Sequence, residues 1–195
     1  MFLRRNQTTA VFSPDRVAYF ETAGWRAYYE RNWLRLLRLL VALCEEQFHI
    51  PFPRSLVAAY AVTRAAIAWV PVDHNIYRVI AYYEKFYRIA HRYSKLAFDP
   101  VRVATLETRY NDDHRSLVGQ HDKSQLLETL VELHCALFGL TKEQARSSAE
   151  LRLQAANTVD AITNRTSTDV NGDWIRIEQY LRQCYRDVEA KVARS

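Results

Sequence analysis

The stretch from Asp73 to Val118, DHNIYRVIAYYEKFYRIAHRYSKLAFDPVRVATLETRYNDDHRSLV, decides the fold class. Apolar residues return every three or four positions throughout it, and no run longer than a few residues alternates at the period of two that a strand requires. Two helices are expected. One runs from about Asp73, a residue type that caps helix N-termini, to about Leu96; the other opens at Asp99-Pro100 and runs to about Val118. The link between them is short, so the two helices should lie side by side and antiparallel.

Within this hairpin one pattern, E-x-x-Y-x-x-x-H-R, occurs twice: Glu84, Tyr87, His91 and Arg92, then Glu107, Tyr110, His114 and Arg115. Steps of three and four put Glu, Tyr and His of each copy on one side of its helix. If the hairpin is centred on Asp99, Glu84 faces His114, His91 faces Glu107, and Tyr87 and Tyr110 stand between them. All six are therefore candidate ligand-binding residues, and a partly buried carboxylate beside an imidazole suits a metal site, a general base or a plain ion pair. Seven helical residues span about 10 Å, too far for one dinuclear centre. A metal ion held by Glu84, His91, Glu107 and His114 would need further ligands, for which Glu21, Asp73, His74 and His134 are candidates.

Outward from the hairpin the chain keeps the same character. Ser13-Pro14 opens a long first helix reaching about Phe48 with a bend expected at Gly24, and an apolar second helix, about Pro53 to Trp69, is expected at the centre of the core. After the hairpin, Asp122 to Gln125 reads as a capping box for a helix that stops at Gly139, and Thr141 to Gln144 as a second one for a helix to about Thr163. The last helix carries Val170, Trp174, Ile177, Leu181, Tyr185, Val188 and Val192, a stripe that faces either core or partner. The expectation is a single-domain, all-α bundle of about seven helices over residues 13–195, preceded by a flexible arm at 1–12.

Composition narrows the function classes. Only 4 Gly occur in 195 residues, where about 7% is usual, which argues against a turn-rich β fold. Cys44, Cys135 and Cys184 are far apart and read as reduced core thiols rather than zinc ligands. The apolar run Leu56 to Val72 carries Thr63 and Arg64 and ends at Pro71, which suits a buried helix better than a membrane span. No apolar segment follows Arg4 and Arg5, so a cytoplasmic protein is expected. A net charge of +5 spread among interspersed acids gives no strong nucleic-acid signal. Arg31, Arg35 and Arg38 on the first helix and Arg78, Lys85, Arg88 and Arg92 on the third form basic stripes that suit a solvated face better than phosphate groups or an anionic membrane surface.

Phosphate-cradling glycine loops, nucleophile elbows and H-E-x-x-H stretches are absent from the sequence. Two functional readings follow. The first is a non-enzymatic binding or interaction domain, self-associating or meeting a protein partner through its tyrosine-rich surface or the last helix, or taking a small apolar or anionic ligand. The alternative is a metal-dependent or acid/base enzyme with its site on the Glu-Tyr-His hairpin.

Overall fold

The computed structural model describes residues 11–193. Among them are eight α-helices and no strand: α1 (Pro14–Tyr29), α2 (Trp33–Phe48), α3 (Arg54–Trp69), α4 (Ile76–Tyr93), α5 (Pro100–Ser116), α6 (Ser124–Phe138), α7 (Lys142–Thr163) and α8 (Val170–Val192). Each helix packs on the one before and the one after, and α8 returns to pack on α1. Bonds between neighbours show that successive helices run in opposite directions. Ser55 on α3 reaches Glu45 on α2, Arg64 reaches Tyr82, Thr129 reaches Asp113, and Ser147 reaches Asp187. Because eight is even, such an alternating series can close on itself, and α1 and α8 meet antiparallel through Asp15 and Arg186.

The expected long first helix is two. Its break falls not at Gly24 but at Arg31, which takes a left-handed conformation at φ 55, and Asn32 then caps α2 by accepting a hydrogen bond from the Arg35 N–H at 3.2 Å. Gly24 instead lies buried inside α1, facing Leu36 of α2 at a distance that would admit a methyl group. The apolar helix expected at the centre, α3, packs between α2 and α4 through the small residues Ala58, Ala61 and Ala65. Its opposite face leaves Leu56, Val57, Tyr60 and Ile67 exposed, so apolarity all round did not mean burial all round.

Caps account for the other boundaries. Asn75 rather than Asp73 starts α4, Asp99 caps α5, and Thr141 with Gln144 forms the expected capping box of α7. The box expected at Asp122 does not form, since Asp122 accepts from Ser124 and Gln125 turns to Asp113. Gly139 ends α6 at φ 69, a conformation that costs glycine nothing.

Of the expected N-terminal arm, residues 1–10 lie outside the described residues. Phe12 is buried against Phe138 and Tyr185, and the Val11 carbonyl lies 2.7 Å from His49 Nε2. Phe48 and Phe98 pack nearby, so aromatic rings close this end of the ring. The α8 stripe faces mainly inward: Trp174, Ile177, Leu181, Tyr185 and Val188 are buried, while Val170 at its start is exposed. Among the described residues no helix is long and apolar enough to cross a membrane.

Candidate functional site

The inner faces of the eight helices do not fill the ring. They enclose a cavity of about 290 Å³ to which every helix contributes. Its walls are mainly apolar and aromatic, with Trp25 and Tyr28 from α1, Phe48 from α2, Trp69 from α3, Phe86 from α4 and Phe138 from α6. Among the described residues Tyr29, at the C-terminal end of α1, is the one exposed member of the lining, so the lining reaches the surface at that end of the ring, away from Phe12.

Two polar groups of different construction face this space. The first joins α1, α7 and α8. Arg152 donates to Glu21 through Nη2 at 2.6 Å and Nη1 at 3.3 Å, and through Nη1 to the Tyr185 hydroxyl at 3.1 Å; that hydroxyl in turn donates to Glu21. Both oxygens of Glu21 are therefore occupied. Burial alone would disfavour the charge on Arg152, but Glu21 and the surrounding tyrosine oxygens outweigh it and hold the guanidinium cationic. Its Cζ lies 5.8 Å from the ring centroids of both Trp25 and Tyr110.

The second group lies across the cavity on the α4–α5 hairpin. Tyr87 donates to Glu107 Oε2 at 3.1 Å, while Oε1 has no hydrogen-bond partner among the described residues. Burial pushes the Glu107 carboxyl above its ordinary range; Arg152 and the Tyr87 hydroxyl offset only part of this, and Glu21 adds to it. Above it, Asn111 donates to the Tyr83 hydroxyl at 3.0 Å. His134, on α6, is bonded to Ser148 at 2.8 Å and is pushed down to about 3 by burial and then by Arg152, so it is neutral across physiological pH.

At the open end His114 forms part of the wall. Its Nε2 lies 2.9 Å from Asp160, which Lys123 also reaches at 2.8 Å. Lys123 and Asp160 belong to a shallow outer groove between α6 and α7. Burial would raise the Asp160 carboxyl, but the hydrogen bonds and charges of His114 and Lys123 hold it below its ordinary value. Nearby, Trp69 donates to Asp112 at 2.8 Å, His74 Nε2 stands 3.3 Å from the same carboxylate, and Arg115 stacks 3.4 Å over the Trp69 ring.

The structure thus brings four of the six sequence-predicted residues to the cavity, Tyr87, Glu107, Tyr110 and His114. Glu84 and His91 stand apart: Glu84 pairs with Arg88 on its own helix, and His91 is exposed with its ring against Phe98. Neither expected Glu–His contact forms. The reason is register. The contacts made, Tyr87 with Glu107 and Tyr83 with Asn111, centre the hairpin on Ala97 rather than Asp99. The shift follows from α4 ending at Tyr93 instead of near Leu96, where the Ser94 hydroxyl accepts from the Leu96 N–H at 2.9 Å. Glu84, His91, Glu107 and His114 accordingly do not converge, and no three His, Cys, Asp or Glu come together as a metal would require among the described residues.

Arg152 and Tyr185 were not among the predicted site residues, although Arg152 carries a legible signal. It interrupts the stripe Ala145, Ser148, Ala149, Ala155, Ala156 and Val159, a long cation among small buried residues. Glu21 similarly follows Val17 and Ala18 along the buried face of α1. Such charges stay inside a fold only when paired.

The class defined by this architecture is an eight-helix ring around a central aromatic cavity. No protein-family model, curated protein or solved structure matches the chain.

Proposed function

We propose that this chain is a binding domain that takes a small, largely apolar organic molecule into the central cavity. The observation that carries the reading is the cavity itself, enclosed by all eight helices and walled by aromatic side chains with a few fixed polar groups. That is the composition of small-molecule sites, and its volume falls near the lower end of their usual range of about 300–1,000 Å³. Binding without chemistry suits the Glu21–Arg152–Tyr185 group, in which both Glu21 oxygens are taken by Arg152 and Tyr185, although the buried Arg152 Nε–H has no partner among the described residues. A cytoplasmic setting goes with this reading, since Cys44 and Cys184 are free buried thiols. For a protein partner or a second copy, the same reading assigns the outer face of α3, where Leu56, Tyr60 and Ile67 are exposed.

The experiment is a fluorescence titration with 2-phenylethanol, a neutral aromatic probe, because Trp25 and Trp69 line the cavity and report its occupancy. Saturable quenching is expected in the wild type and its loss in Ala156→Phe, which fills the cavity from α7, with circular dichroism confirming that the variant keeps its helices. No saturable signal, or the same signal in the filled variant, would overturn the reading.

One observation favours the enzymatic alternative, in acid/base rather than metal-dependent form. Glu107 presents a free carboxyl oxygen beside Tyr87 and Tyr110, in surroundings that keep the carboxyl protonated to higher pH than usual. Mass spectrometry of small molecules incubated with the protein separates the two: a binding domain returns its ligand unchanged, an enzyme does not.

A further inference from the structure

We infer that the molecule the cavity selects is an organic cation, an ammonium on an aromatic or aliphatic body, with Glu107 as its counter-ion and the tyrosine faces around Glu107 as its cage. The inference rests on the cavity being a small-molecule site and deepens that reading to a ligand class. Its basis is the difference in how the three charged groups lining the ring are satisfied.

Among the described residues Arg152 is the one lysine or arginine lining the cavity, and Glu21 takes up its charge at 2.6 Å. An anionic ligand would have to compete with that carboxylate for the guanidinium and approach Glu107 as well. Glu107 has no such cationic partner in contact. One of its oxygens receives the Tyr87 hydroxyl and the other receives nothing among the described residues. With Glu21 and Arg152 cancelling, His134 bonded to Ser148, and His114 turned to Asp160 outside the lining, ionised Glu107 leaves the lining with one negative charge in excess. A cation is what balances it.

The surroundings suit a cation sterically and electronically. Tyr83, Tyr87 and Tyr110 stand on the same hairpin as Glu107, with Trp25 and Tyr28 facing from α1, all of them lining the cavity. Aromatic faces attract ammonium groups, most strongly where water is excluded. A neutral ligand would gain the apolar contacts but leave the Glu107 oxygen without a donor or the carboxyl protonated.

The test is a calorimetric titration of the purified protein with three probes of nearly equal shape: 2-phenylethylammonium, 2-phenylethanol and phenylacetate. The ammonium is expected to bind roughly tenfold or more tighter than the alcohol, as a desolvated cation–aromatic contact together with a charge pair would give. In Glu107→Gln, which keeps the shape and the acceptor for Tyr87, that preference should collapse to within about threefold. Equal binding of ammonium and alcohol by the wild type, or a preference that survives Glu107→Gln, would overturn the inference while leaving the cavity a ligand site. Tightest binding of phenylacetate would overturn it in favour of an anion read by Arg152. If none of the three binds, the cavity reading fails and the inference with it.

Discussion

Glu21 and Glu107 are carboxylates on opposite walls of one cavity, and they are built differently. On the α1–α7–α8 wall Glu21 has each oxygen bonded to Arg152 or Tyr185. Across from it, Glu107 meets one tyrosine and keeps a free oxygen. A buried polar group whose partners are all present is an element of architecture; one whose valence is left open toward a cavity costs stability and is retained where something else completes it. The contrast separates the groups that hold the ring closed from the group that meets a ligand.

The largest effect should come from breaking the closed wall. Arg152→Met leaves Glu21 buried beside a thioether, and removing one member of a buried ion pair costs about 3–5 kcal/mol. Urea unfolding at neutral pH measures it. The double variant Glu21→Gln/Arg152→Met should recover more than half of the loss, because the penalty is the orphaned charge rather than lost contact area. A loss for Arg152→Met of less than about 1 kcal/mol would show that the wall is not a closed unit and remove the contrast with Glu107.

The open wall should behave oppositely. Burial raises the Glu107 carboxyl in the folded chain, against the influence of Arg152 and Tyr87 and with that of Glu21. The folded state then holds its proton more tightly than the unfolded state does. Stability is highest below the ordinary carboxylate range, falls as pH rises from that range to the raised folded value, and levels beyond it. Glu107→Gln fixes the neutral form, so the variant should equal or exceed the wild type in stability at pH 7, with the difference closing toward pH 4. Thermal unfolding across that interval measures it. A variant less stable than the wild type at pH 7 would mean that the ionised carboxylate is already paired in the folded chain. Asp160 has the opposite slope: its lowered value, set by His114 and Lys123 against its own burial, gives stability that is lost as the solution becomes acidic.

Much of this is legible in the sequence. Helical period, caps and scarce glycine specify an all-α chain, and the duplicated Glu-Tyr-His pattern picks out Tyr87, Glu107, Tyr110 and His114, which do line the cavity. The rest hinges on quantities that local patterns leave undetermined. A left-handed residue at Arg31 divides what the periodicity of 14–48 presents as continuous. The three residues by which α4 stops short of Leu96 move the hairpin centre by two positions, enough to carry Glu84 and His91 away from the residues expected opposite them. The closure of α8 on α1 brings Tyr185 and Glu21 together from opposite ends of the chain, a pairing no spacing rule encodes. Charges on small-residue stripes, Glu21 and Arg152, were the readable trace of that closure.

The smallest expected effects are those of the two residues that the register leaves outside, and they test the register itself. Among the described residues Glu84 bonds only Arg88, one turn away on the same helix, and the arginine side chain is 62% exposed. Exposed pairs of this kind contribute about 0.3–0.5 kcal/mol, so Glu84→Gln should change stability by no more than that. His91 is exposed, sets its ring T-shaped to that of Phe98 and donates to no carboxylate among the described residues, and His91→Ala should likewise stay within about 0.5 kcal/mol. His114→Ala should cost more, about 1 kcal/mol, because Asp160 loses one hydrogen bond while keeping Lys123. The ordering within this series is informative. A hairpin centred on Asp99 would seat His91 against Glu107 and make His91→Ala as costly as His114→Ala; a hairpin centred on Ala97 makes it the milder of the two, and leaves Glu107 free for the cavity.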